Sequence, residues 1–189
     1  MKRLPLSAVA AAILMIGVGP AGGHLVRAAA AENAPAGEAG PDAAAQAARK
    51  LLNDVGAARF TAAGFRPGTV RHMVMFQLRP DVTPAERQSV ISAFRDLVRL
   101  SKRPDGTPLI QSLDTGVQDS GEGADLGLEL GFLVTFRSQG DRNYYVGRPV
   151  VMDPAFFDPA HERYKQKIAP FLKQAVVFDF PAETTVPEH

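Results

Sequence analysis

Apolar and polar positions alternate along Val70-Arg71-His72-Met73-Val74-Met75-Phe76-Gln77-Leu78. Val70, Val74, Phe76 and Leu78 share one phase of a two-residue period, and His72 stands with them. Arg71, Met73, Met75 and Gln77 fill the other phase. Two of those are apolar, so the pattern predicts a β-strand that buries part of both faces. A second alternation, Leu126, Leu128, Leu130, Phe132, Val134 and Phe136, predicts another strand. Gly127 and Gly131 fall in its opposite phase, where a bend or a close backbone approach is expected. Shorter strands are expected at Leu109–Val117 and at Ala175–Phe180, the latter with Val176, Phe178 and Phe180 in phase.

Helical spacing separates these strands. Thr83-Pro84-Ala85-Glu86 is a helix start, with Thr83 as N-cap, Pro84 at the first position and Glu86 closing a capping box. Val90, Ile91, Phe94, Leu97 and Val98 then form one stripe, which should end before Pro104-Asp105-Gly106. A short helix carrying Tyr144 and Tyr145 is expected over Asp141–Arg148. Asp158-Pro159 opens another helix, with Tyr164, Ile168, Phe171 and Leu172 as its stripe and Pro170 interrupting it. Ahead of all this, Ala44, Ala48, Leu51, Leu52 and Val55 predict an appended helix, with Asp42 as N-cap and an end near Gly56 or Gly64.

The order is β-α-β-β-α-β, for which a ferredoxin-like α+β sheet with both helices on one face is the solution. The other face, with Met73, Met75, Leu133 and Val177, is left without a cover. A second copy packing sheet to sheet would bury it, giving a homodimeric α/β barrel.

Composition narrows the function classes. The formal net charge of +1 gives no electrostatic case for nucleic acid. Cysteine is absent, which excludes disulfides, a thiolate nucleophile and cysteine-based metal sites. Lys2-Arg3, the apolar run Leu4–Val18 and the small residues after it resemble a cleavable export signal. The expected organisation is a signal over residues 1–30, cut between about residues 26 and 31, then a linker and appended helix over 31–68. The main domain follows over 69–181, with a loose tail over 182–189. The mature protein is expected to be periplasmic or secreted, without membrane attachment after cleavage; the alternative is an uncleaved N-terminal anchor.

Few residues carry chemistry. His72 is either a pocket residue or a satisfied core histidine. His161 falls in the first turn of a helix, whose positive end favours the neutral imidazole that a base needs; the alternative is a surface histidine in a capping turn. Tyr144 and Tyr145 are adjacent and point different ways, so one should pack and one should be solvated. Arg148 is placed either to bind an anionic substrate or in solvent. His24 and His189 lie in the export segment and the tail. Two distant histidines do not make a metal site, and Gly121-Glu122-Gly123 precedes a strand, so it is no phosphate loop. No haem motif stands out, and neither metal nor cofactor is expected.

The stretch Arg71–Leu78 resembles the opening strand of the stress-responsive dimeric α/β-barrel (Dabb) family, a basic residue and His leading through apolar residues into Phe. Tyr145-Val146-Gly147-Arg148-Pro149 and Pro159-Ala160-His161 resemble the two ends of its second signature, an aromatic followed by His-Pro-x-His. Arg148 stands where the first His would be, and Val150–Asp158 splits the motif. Phe178-Asp179-Phe180 resembles its final Asp-aromatic pair. The resemblance covers about Thr69 to Pro181. It implies a dimeric barrel with a pocket between sheet and helices. In a plant member type that closes a polyketide ring without a cofactor, it implies the base at His161, with Tyr145 and His72 lining the site.

On this reading His72 and His161 face one apolar cavity with Tyr145 at its edge. Val74 and Phe76 lie beside His72, Phe94 and Leu97 form the facing wall, and Arg148 stands near the substrate. The expected function is binding of a small apolar or carbonyl-containing molecule, with cyclase- or lyase-type chemistry. The alternative is a non-catalytic dimeric stress or structural protein, in which side chains fill the pocket.

Overall fold

A computed structural model describes residues 42–183 of the chain. The expected export segment, the linker over residues 31–41 and residues 184–189 of the tail lie outside the described residues. Among the described residues, no helix is long and apolar enough to cross a membrane.

Four antiparallel strands form one sheet in the order β2-β3-β1-β4, where β1 is Pro67–Leu78, β2 Ser112–Val117, β3 Leu130–Ser138 and β4 Leu172–Pro181. Three helices connect them: α3 (Pro84–Leu100), α4 (Gln139–Val146) and α5 (Pro159–Ile168). Two more, α1 (Ala43–Val55) and α2 (Ala57–Phe60), precede β1. This is the ferredoxin-like arrangement, with the first strand inside the sheet.

The alternation of β1 decides the layers. Val70, His72, Val74, Phe76 and Leu78 are buried under the helices, while Arg71, Met73, Met75 and Gln77 are half-covered on the open face. Val90, Phe94 and Leu97 of α3 join Tyr164 and Ile168 of α5 and the β1 residues in the main core. Phe94 stacks on Phe132 with centroids 4.0 Å apart, and each such ring contributes roughly 1.5–3 kcal/mol by burial. Val98, expected in the stripe, is 42% exposed, because the stripe turns away from the sheet one residue after Leu97. The capping box forms as the sequence predicts: Thr83 Oγ1 accepts from Glu86 N, and Glu86 accepts from Thr83 N at 2.8 Å.

Other expectations are corrected. β3 begins at Leu130, not Leu126, because Leu126 and Gly127 adopt positive φ in a turn closed by Asp125, which leaves Leu126 in solvent. β2 starts at Ser112, and Leu109 and Ile110 pack into the core before the strand begins. Gly131 has nothing close above it, so no backbone approach explains it. Pro170 does end a helix: α5 stops at Ile168 and passes into a 3₁₀ turn. Asp42 stands before α1 but makes no side-chain cap. Val177 does not lie on the open face. It pairs with Val74 and shares the helix side, whereas Val176, Phe178 and Phe180 lie beside Met75, Met73 and Arg71 on the open face. Sequence phase cannot say which phase of an edge strand points to which layer; the pairing register does.

Candidate functional site

Two glycines place the tyrosines. At the start of α4, Gly140 lies so close to the loop after α2 that an added Cβ would stand 1.8 Å from the Ala62 carbonyl oxygen. At its end, Gly147 has φ 59°, and an added Cβ would stand 2.6 Å from Phe157 Cβ. Only glycine fits either position, and together they let α4, which lies over the central strands β1 and β3, approach the loop after α2 and Phe157. Ser138 caps the helix by accepting from Asp141 N at 2.9 Å.

Both tyrosines are consequently buried, which corrects the expectation that one would be solvated. Tyr144 lies under the Arg103 guanidinium, 5.0 Å from its ring centroid. Arg103 in turn makes a buried ion pair with Asp141 at 2.6 Å. Tyr145 points the other way, into the layer between sheet and helices, and is wholly buried rather than at a cavity edge.

Tyr145 stands between the two histidines. Its ring stacks on His161 with centroids 3.9 Å apart, and meets His72 edge-on at 5.8 Å. Asp158 caps α5 by accepting from Ala160 N, which fixes His161 in the first turn, buried. His161 Nδ1 lies 2.7 Å from the Tyr145 carbonyl oxygen. A carbonyl only accepts, so Nδ1 donates and Nε2 keeps its lone pair. Burial lowers the His161 pKa to about 3, helped by the Lys165 cation and by His72, so the imidazole is neutral.

His72 lies opposite Asp179 in the β1–β4 register, and its Nδ1 is 2.5 Å from the Asp179 carboxylate. Asp179 also accepts from Arg142 of α4. Burial alone would raise the Asp179 carboxyl, but the His72 hydrogen bond and charge, with Arg142, hold it below the usual carboxylate range. The Tyr145 and Tyr164 hydroxyls are buried without a hydrogen-bond partner among the described residues. Burial pushes the pKa of both phenols up, and each stays protonated.

The remaining expected site residues divide. Val74, Phe76, Phe94 and Leu97 are all buried between sheet and helices, as packed core. Arg148 lies apart from the cluster, over the Phe157 ring at 5.3 Å and 3.9 Å from Glu162. One open cavity, of about 790 Å³, lies beside α1, α4 and β4, and another, of about 650 Å³, lies on the open sheet face by Met73 and Met75. Neither is lined by His72, Tyr145 or His161. No group of three or more potential metal ligands occurs among the described residues.

The sequence marks Asp179 only as part of the final Asp-aromatic pair, and carries no functional signal at Tyr164 or Arg142. Tyr164 looked like one more stripe residue. Asp179 reaches His72 through strand pairing, over 107 positions, and no local pattern announces that contact.

The profile of the stress responsive A/B barrel domain family (Dabb) matches residues 70–182. No curated protein matches the chain. Among solved structures, protein At3g17210 from Arabidopsis thaliana is similar at 20% identity and TM-score 0.50, over 62% of this chain and 99% of that one. A hydroxynitrile lyase from Passiflora edulis is similar at 18% identity and TM-score 0.50, over 64% of this chain and 99% of that one. A Dabb protein from Mesorhizobium loti has 17% identity and TM-score 0.44, over 62% of this chain and 99% of that one. At these identities the structural likenesses concern the fold.

Proposed function

Because this chain belongs to the stress responsive A/B barrel domain family, we propose that it is an exported, homodimeric protein that binds a small carbonyl-containing molecule at the His72–Tyr145–His161 cluster. The reading rests on one observation. Two buried tyrosine hydroxyls lack a partner beside imidazoles whose Nδ1 atoms are already engaged. A buried hydroxyl without a partner costs about 1–3 kcal/mol, and a ligand carbonyl oxygen supplies the missing acceptor.

The chemistry follows from the protonation states. Neutral His161 accepts a proton at Nε2 from a C–H next to the ligand carbonyl. Tyr145 or Tyr164 donates to the oxyanion that develops. Proton transfer to a placed base is worth about 10²–10⁴-fold in rate. Asp179 accepts from His72 Nδ1 and so fixes the orientation of that ring. This is cyclase- or lyase-type chemistry that needs no cofactor. The apolar open face supports the dimer, and the basic start followed by a short apolar run supports export.

Deuterium exchange into the methyl groups of acetone, followed by NMR, tests the base directly. The native protein is expected to exchange faster than His161→Phe, which keeps a ring against Tyr145. Equal rates would overturn the enzymatic reading. A second reading is favoured by the packing: Tyr145 itself fills the space between the imidazoles, and neither cavity reaches them. On that reading the protein is a non-catalytic dimeric scaffold. Export is tested by mass spectrometry of the mature protein, where a retained Met1 would refute it.

A further inference from the structure

The larger cavity is a groove on the far side of Asp179 from His72. One wall is α1, which buries none of its residues completely although Leu51, Leu52 and Val55 pack on Phe60, Val151 and Phe157. The opposite wall is β4, from which Val177, 56% exposed on the helix side, and the open-face residues Phe178 and Phe180 line the groove. Val70, Phe60 and Val146 form the apolar floor. About 790 Å³ is within the range of small-molecule sites, and an apolar slot with a few convergent polar groups is the usual form of one.

The polar groups converge at one end. Arg142 donates Nε to Asn143 Oδ1 at 3.0 Å and Nη1 to Asp179, which leaves Nη2 without a partner among the described residues. Arg66, also lining the groove, lies over the Phe65 ring at 5.4 Å and donates one hydrogen bond, Nη1 to Gln139 at 3.3 Å, so its Nε and Nη2 have no hydrogen-bond partner among the described residues. Lys50 and Asp54, on the α1 wall, pair with each other at 2.6 Å and cancel. Two guanidiniums against one carboxylate leave this end positive, with forked donors suited to a carboxylate.

We propose that the groove binds a single-chain amphiphile with a carboxylate head. The head sits on Arg142 and Arg66, and the alkyl tail runs between α1 and β4. None of His72, Tyr145, His161 or Tyr164 lines the groove, although Asp179, which holds His72, borders both sites. Loss of acetone exchange in His161→Phe therefore leaves this proposal untouched, and the reverse holds.

The test is calorimetric titration of the full-length protein with decanoate, decanol and decyltrimethylammonium, below their micellar concentrations. Decanoate is expected to bind once per chain, decanol about tenfold or more weaker, and the cation not at all. Ala47→Trp, on the exposed groove side of α1, fills the slot and should abolish decanoate binding. Arg66→Gln, at an exposed position, should weaken decanoate towards the decanol value and leave decanol unchanged. Decanol binding as tightly as decanoate, decanoate binding unaffected by both variants, or no binding of decanoate would each overturn the proposal.

Discussion

Replacing Tyr145 by phenylalanine removes a single oxygen from the most enclosed part of the molecule. Its ring is wholly buried, stacked on His161, edge-on to His72 and tilted against Phe136. All of those contacts survive in Tyr145→Phe. The hydroxyl has no partner among the described residues, so its desolvation, about 1–3 kcal/mol, is uncompensated in the free protein. The void left by one oxygen costs less than about 1 kcal/mol. The variant is therefore expected to be more stable by about 1 kcal/mol, a rise in Tm of about 2–4 °C for a chain of this size. Tyr164→Phe should behave alike. Because both rings lie parallel to the ring of His161 on which they pack, the double variant should not be additive. Urea denaturation is the assay: the midpoint should rise at constant m. If the tyrosines serve a ligand, the same variants slow acetone exchange while gaining stability, as expected of a site that stores unsatisfied groups. A loss of 1 kcal/mol or more at constant m would refute the reasoning, since the hydroxyl would then be hydrogen-bonded in solution.

Stability should fall with acidification from about pH 6.5 towards 3. His161 takes up a proton near 6.5 when unfolded but only near 3 when folded, so the unfolded state binds more protons across that window. The loss is worth up to a few kcal/mol and should be absent in His161→Phe; a flat profile in the native protein would contradict it. Asp179, held below the usual carboxylate range, adds a further loss only below about pH 4. Phe178→Asp, on the open sheet face where Phe178 is 59% exposed, should give a folded monomer in sedimentation, and a native protein that is already monomeric at micromolar concentration would count against the dimer. Arg103→Met strands the buried Asp141 carboxylate and should cost about 3–5 kcal/mol, whereas Arg103→Met with Asp141→Leu should recover much of it; equal losses in both would show that the ion pair is not the cause.

The element order, the capping box at Thr83 and Glu86, the Asp158-Pro159 start and the buried phase of β1 were legible because each is set locally. An alternation or a cap depends on residues a few positions apart, and the ferredoxin-like order follows from the sequence of elements. The family motifs likewise pointed to His72, Tyr145 and His161, and the structure brings those three rings together. What the chain alone could not decide is how distant elements meet. Val177 faces the helices because β4 pairs with β1 in a register that no local pattern fixes. The same register sets Asp179 against His72. Tyr145 fills the space between the imidazoles because Gly140 and Gly147 let α4 approach the α2 loop and Phe157 closely, and a close approach shows in a sequence only as a missing side chain. The groove beside α1 exists because an appended helix, readable as a helix, stands across an open gap from the edge strand β4, which only the tertiary pairing identifies as an edge.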